Sequence, residues 1–216
     1  MRWPVYIYYL LMCCCFIASL SALRIFRVRL LAIYLFFSIL VEILAEMVGV
    51  GGSHHFFLYH FFNIVEYLFV TWILADGLPP NRKQLRQIML GSIVLYTLVS
   101  LWVSLRIDGL QHFPSVGTNI ESVGIIAGCL VSFLTLEPKE DIPIHRRSVF
   151  WITLAFFVYF TGTFCFNSLY NTLLNSARHT AELLFSLINS LFNYFLYIFL
   201  IIGIKWSRQE RKYSER

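Results

Sequence analysis

Long apolar segments are the feature that most constrains how this chain can fold. Roughly 20 apolar residues are enough for a helix to cross the hydrocarbon core of a bilayer. Charged residues make up 13% of the chain and hydrophobic residues 58%, whereas about a quarter of a soluble domain is charged. We therefore predict an all-α polytopic membrane protein, a single seven-transmembrane-helix bundle over residues 1–216. Its predicted spans are about 3–23, 28–49, 55–75, 87–106, 118–136, 148–170 and 180–204.

The Lys and Arg residues fall on alternate loops between these segments. The first, third and fifth loops hold three each, the C-terminal tail holds five, and the other side holds only Arg2, Arg106 and Arg178. The positive-inside rule assigns the basic side to the cytoplasm. We expect an N-terminus outside, a C-terminus in the cytoplasm and a place in the cell (inner or plasma) membrane. The net charge of +5 is sorted by membrane side and does not indicate nucleic-acid binding.

The first apolar segment has an alternative interpretation as a cleaved signal peptide. It has an apolar centre and small residues between Ala18 and Ala22, which are features of such peptides. Cleavage would leave Arg24, Arg27 and Arg29 outside and break the alternation of basic loops. A seventh span is therefore the interpretation we carry forward.

Polar side chains within the apolar segments are candidates for function, because an ionisable group inside a membrane is costly. Glu42 and Glu46 share one face of the second segment, and Tyr59, Asn63 and Glu66 share one face of the third. Helix rise puts Glu46 level with His60, and Glu42 level with Asn63. We predict a polar pocket in the outer half of the bundle, lined by Glu42, Glu46, Tyr59, His60, Asn63, Glu66, Glu121, Asn167, Glu182 and Asn189.

These polar groups have a simpler alternative role in structure. Amide side chains such as Asn189 often form hydrogen bonds between membrane helices. Glu121 and Glu182 can also be explained as groups near the membrane interface. In the fifth segment, Gly124 and Gly128 have the spacing of a GxxxG motif, which suits either packing within the bundle or a homodimer contact.

Neither a metal nor an organic cofactor is expected from the sequence. His55, His60 and Glu46 are weak candidates for metal ligands, since no two histidines have the i, i+4 spacing that points both at one ion. Every lysine lies at a predicted cytoplasmic loop or end, so none is placed for a retinal Schiff base. The lysines are Lys83, Lys139, Lys205 and Lys212.

The opening of the third segment resembles a known pattern. Residues 54–74 read HHFFLYHFFNIVEYLFVTWIL, which is similar to a run in small uncharacterised seven-span membrane proteins of Bacteroidetes-type bacteria. Tyr59, Asn63, Glu66 and Tyr67 carry the resemblance. Similar membrane regions precede some histidine kinases, so the resemblance implies a sensory role. The tail after the last span has about ten residues, so we expect no output domain of its own.

Three functions follow from these observations as hypotheses. The first is a receptor-like or sensor-like protein that binds a ligand in the outer pocket and signals through a cytoplasmic protein partner at the basic loops. The second is a small-solute or proton-coupled transporter that uses Glu42 or Glu66 as a carrier. The third is an intramembrane lipid-modifying enzyme with His60 and Glu46 as acid–base or metal partners.

Overall fold

The computed structural model describes residues 3–49, 56–110, 114–136, 143–176 and 178–214. The described backbone is helical almost throughout, as expected where a bilayer offers no water to satisfy free N–H and C=O groups. This confirms the predicted all-α fold, and each helix coincides with one predicted apolar segment. The helices are α1 (Trp3–Leu20), α2 (Phe26–Gly49), α3 (Phe56–Gly77), α4 (Lys83–Val103), α5 (Ser115–Leu134), α6 (Ser148–Ser176) and α7 (Arg178–Ser214).

Helices α2 to α7 are each long and apolar enough to cross a membrane. Helix α1 is equally apolar but is shorter over Tyr6–Leu20. Large apolar side chains such as Leu10, Leu98 and Met47 are exposed on the outside of the bundle, where lipid would be the solvent. The chain is therefore a multi-pass membrane protein. The crossing by α1 and the orientation in the membrane stay predictions.

Helix α3 is the central element of the bundle. Consecutive helices pack against one another, and α1 also packs against α7, while α3 contacts α2, α4, α5 and α6. Its Val70 and Ile73 are fully buried, as are Leu35 of α2, Ile125 of α5 and Phe156 of α6. Polar side chains on the inner face of α3 are thus held away from lipid by four neighbouring helices.

One end of the bundle collects the basic residues, and we call it the basic end. There Arg27, at the start of α2, pairs with Asp76, near the end of α3, at 3.3 Å. Arg208 of α7 donates to the carbonyl of Ala18 in α1 at 2.9 Å. These contacts gather the ends of α1, α3 and α7 with the start of α2, as the alternation of basic loops predicts.

Helix α7 continues past its predicted end near residue 204, as far as Ser214. The extra turns fasten it to α6. The carboxylate of Glu210 accepts bonds from the backbone N–H and the hydroxyl of Ser148, at 2.8 and 2.7 Å. An acidic group at a helix N-terminus satisfies free N–H groups and complements the helix dipole. Such a cap is set by a neighbouring helix, so apolar segment length alone could not predict it.

Candidate functional site

Polar side chains on the buried face of α3 form the inner part of the candidate site. His60, Asn63 and Glu66 are all buried, and their spacing of three residues puts them on one side of the helix. The His60 Nδ1 lies 2.8 Å from the hydroxyl of Ser104, which follows α4. The Asn63 amide donates to the hydroxyl of Thr118 in α5 at 2.9 Å. Two of these three groups therefore link α3 to the α4–α5 side of the bundle.

A local irregularity puts Ser104 in reach of His60. Helix α4 ends in a π-helical turn over Ser104–Asp108, a geometry that is frequent at functional sites. Gly109 follows this turn with a φ of 72°, a backbone conformation that favours glycine. The Asp108 carboxylate accepts from the backbone N–H groups of Val116 and Gly117, at 3.2 and 3.1 Å. This cap fixes the start of α5 against the end of α4.

Glu66 has a strong hydrogen bond from α2. The hydroxyl of Tyr34 donates to Glu66 Oε1 at 2.6 Å, and both residues are buried. Glu66 is ten residues into a 22-residue helix, so it lies near the middle of the bundle's thickness. The Tyr34 ring packs edge-on against Phe156 of α6. The bond is therefore enclosed by apolar side chains, where a hydrogen bond to a carboxyl is stronger than in water.

Glu121 of α5 is the second carboxyl of the interior. Its side chain is 0% exposed, and neither carboxyl oxygen has a hydrogen-bond partner. It lies close enough to Glu66 for the charges of the two groups to interact, and Tyr96 of α4 is a further neighbour. A buried polar group without a partner is unusual in a folded protein and calls for an explanation.

Gly124 and Gly128 contact the chain's own helices. A Cβ added at Gly124 would lie 2.8 Å from Cε2 of Tyr67 on α3. One added at Gly128 would lie 3.2 Å from Cε of Met89 on α4. The Tyr67 ring in turn stacks on Tyr96, with centroids 4.1 Å apart. The glycine spacing thus serves packing inside the bundle, and the structure lends no support to a homodimer contact through these two positions.

A groove on the outside of the bundle forms the other part of the candidate site. It lies between α1 and α2, has a volume of about 630 Å³ and carries two carboxyls, Glu42 and Glu46. The hydroxyl of Tyr8 in α1 donates to Glu42 Oε1 at 2.9 Å, whereas Glu46 is exposed. The groove is lined by Tyr6, Tyr9, Met12, Cys13, Ile39, Glu42, Ile43, Glu46 and Met47.

The structure divides the predicted pocket into these two parts. Glu42 and Glu46 line the groove, with Tyr59 electrostatically close to both. Asn63 and Glu66 lie in the interior with His60. Glu42 receives its hydrogen bond from Tyr8 of α1, whereas Asn63 donates to Thr118 of α5 in the interior.

The remaining predicted pocket residues on described helices lie in α6 and α7. Asn167 is buried in α6. The side-chain oxygen and backbone carbonyl of Asn189 accept from the amide of Asn193, one turn along α7, so Asn189 serves its own helix. The side chain of Glu182 and the whole of His55 lie outside the described part of the chain.

The metal and enzyme hypotheses depended on His60 lying beside Glu46. The structure places His60 against Ser104 in the interior and Glu46 in the groove. Among the described residues, no three His, Cys, Asp or Glu side chains lie close enough to hold a metal ion. The geometry therefore separates His60 from Glu46, the acid–base pair that the third hypothesis required.

Comparison with protein-family models, with curated proteins and with solved structures finds no match for this chain. The resemblance of residues 54–74 to a bacterial membrane family stays a prediction. Function must accordingly be argued from the groove and the interior pair.

Tyrosines are the site residues that the sequence interpretation missed. Tyr8 and Tyr34 are the hydrogen-bond donors to Glu42 and Glu66, yet an aromatic residue in an apolar segment looks like packing. A signal was present, because Tyr34 and Glu66 lie at similar distances from the basic ends of two antiparallel helices. A comparison of the depths of tyrosines and glutamates along neighbouring spans would have paired Tyr34 with Glu66.

Proposed function

We propose that this chain is a receptor-like membrane protein that binds a lipid-soluble amine in the groove between α1 and α2. The observation that carries the proposal is a pair of carboxyls set in apolar walls on the outside of the bundle. The lateral position favours a ligand that arrives through the bilayer. The carboxyls favour a positively charged or proton-donating head group on it.

The groove fits both parts of an amphiphile, since its walls suit the hydrocarbon chain and its carboxyls suit a cationic head group. The side chains of Ile43 and Met47 are exposed and form an apolar surface for the hydrocarbon part. Glu42 is half-buried and already holds one hydrogen bond from Tyr8, so an ammonium group would add a charge-assisted bond to it. The lining has no Lys or Arg to compete for Glu42 or to attract an anion.

A route for signalling begins at Tyr8. Its ring lies 5.8 Å from that of Tyr197 on α7, centroid to centroid. Helix α7 continues to the basic end, where Arg208 and Glu210 contact α1 and α6. An ammonium group bonded to Glu42 beside Tyr8 would shift the Tyr8 ring and alter the α1–α7 contact, and a cytoplasmic partner at the basic end would respond to that change.

Dodecylamine and dodecanoic acid test the proposal, because they share an apolar chain and differ in the charge of the head group. The protein would be placed in phosphatidylcholine nanodiscs, and tritiated amphiphile bound to it counted by scintillation proximity. We expect saturable binding of the amine alone, and binding about 10-fold weaker in Glu42→Gln. Glu121→Gln is the matched control, since it removes a carboxyl remote from the groove. Equal binding of the acid, or unchanged binding in Glu42→Gln, would overturn the proposal.

A proton-coupled transporter is the second candidate, and the interior carboxyls favour it. Glu66 and Glu121 are buried near the middle of the bundle, where proton carriers of membrane transporters are placed. Proteoliposomes loaded with a pH-sensitive dye would show proton flux on addition of amine, and Glu66→Gln would abolish it. Proton flux in fixed proportion to the amine added would favour the transporter over the receptor.

A further inference from the structure

The Glu121 carboxyl has surroundings that no contact within the described chain completes. It is fully buried and both of its oxygens lack a partner. An ionised carboxylate moved from water into such surroundings is strongly destabilised unless a cation or several donors accompany it. The structure supplies neither, so the group must be compensated in another way.

Among the described residues, the titratable groups that interact electrostatically with Glu121 and Glu66 include phenols of four further helices. Glu66 itself interacts with Glu121 from α3, and each phenol interacts with one or both carboxyls. The imidazole of His60, on the same helix as Glu66, is hydrogen-bonded to Ser104. The four phenols are Tyr34 of α2, Tyr96 of α4, Tyr159 of α6 and Tyr197 of α7.

The two carboxyls differ in their hydrogen bonds. Tyr34 donates to Glu66 at 2.6 Å, and a donated bond stabilises the charged form of a carboxyl. Glu121 receives no such bond. Two carboxyls held close together in a low-dielectric site cannot both ionise readily, and they commonly share one proton. The asymmetry determines where that proton lies.

We propose that Glu66 and Glu121 form an intramembrane proton-binding site, with the proton on Glu121 and the charge on Glu66. Protonation removes the charge of Glu121, so that it no longer repels the charge of Glu66, which the bond from Tyr34 stabilises. Release of the proton restores a second negative charge that the site does not stabilise. The site therefore binds one proton tightly and exchanges it only when the bundle rearranges or hydrates.

Infrared difference spectroscopy in phosphatidylcholine nanodiscs tests the site, because a protonated buried carboxyl has its own carbonyl band. We expect one such band in the wild-type protein at neutral pH, and its loss in Glu121→Gln. Glu46→Gln is the control, since it removes a carboxyl from the groove and should keep the band. Should Glu121→Gln fail to fold, Tyr34→Phe gives an independent measurement. It should add a second protonated band, because Glu66 loses the donor that stabilises its charge.

Three results would overturn this inference. One is a protonated band that persists in folded Glu121→Gln, and another is an unchanged spectrum in Tyr34→Phe. The third is loss of the band when sodium is added at fixed pH, which would make the ligand a metal cation. The inference is independent of the groove, since Glu121→Gln is expected to bind dodecylamine normally even where its carboxyl band is gone.

Discussion

Two tyrosine–glutamate hydrogen bonds in this bundle have the same chemistry and different surroundings. The Tyr34–Glu66 bond is 2.6 Å long and joins two buried residues of α2 and α3. The Tyr8–Glu42 bond is 2.9 Å long and lies at the edge of an open groove between α1 and α2. The first is enclosed by other helices, whereas the second has free space and a second carboxyl beside it.

This difference explains why we assign the two carboxyls different tasks. A ligand with a hydrocarbon chain can reach Glu42 from the bilayer, because Ile43 and Met47 of the same groove are exposed. Glu66 can be reached only by something that fits between packed helices, and a proton is the smallest such species. In our two proposals the same type of side chain therefore serves ligand recognition in one place and proton binding in the other, and burial makes the distinction.

The largest expected effect tests whether the interior is as tightly packed as the comparison requires. Gly124→Leu forces a side chain into the Tyr67 ring, and overpacking of this kind costs about 3 kcal/mol. Gly91→Leu is the matched control, because a Cβ there meets nothing within 4 Å and its effect should be about 0.5 kcal/mol or less. Unfolding by sodium dodecyl sulfate, followed by circular dichroism, measures both. Equal unfolding midpoints for the two variants would show that the interior accommodates the added side chain and is not tightly packed.

The second prediction removes the hydroxyl from each pair in turn. Tyr34→Phe leaves a buried carboxyl short of a donor and should destabilise the protein by about 2 kcal/mol. Tyr8→Phe should cost about 1 kcal/mol or less, because Glu42 is only half-buried and can find water at the groove. The same unfolding measurement compares them. A larger loss in Tyr8→Phe than in Tyr34→Phe would reverse the assignment of the buried and open pairs.

The sequence was sufficient to locate the helices, but it did not show which face of each helix packs against which neighbour. Apolar runs of about 20 residues located every helix, and Arg and Lys on alternate loops predicted the end at which Arg27, Asp76 and Arg208 meet. In a soluble helix the polar face reveals the buried face. In α2 both faces are apolar, since one meets the core and the other meets lipid, so nothing in the sequence showed that Glu42 turns towards α1.

The interior pair was only partly predictable for the same reason. Glu66 was recognised as deep from helix rise alone, and the structure buries it. Glu121 was equally compatible with the membrane interface, because it lies only six residues into α5. Its burial comes from the packing of α5 against neighbouring helices, and the Asp108 cap holds the start of α5 in place. Those features arise from contacts between neighbouring chain segments and not from the composition of one.

The smallest effect separates the two carboxyls of the groove from one another. Glu42 is half-buried and should form a charge-assisted bond to an ammonium group, so Glu42→Gln should weaken dodecylamine binding about 10-fold, which corresponds to about 1.4 kcal/mol. Glu46 is exposed, and an exposed ion pair contributes at most about 1 kcal/mol. Glu46→Gln should therefore weaken binding about twofold, and added salt should abolish that difference because it screens exposed charges more than buried ones. Binding isotherms for the two variants at low and high salt measure both effects. Similar losses in the two variants, both removed by salt, would mean that the amine is attracted only to a negative surface, and that Glu42 is no more enclosed than Glu46.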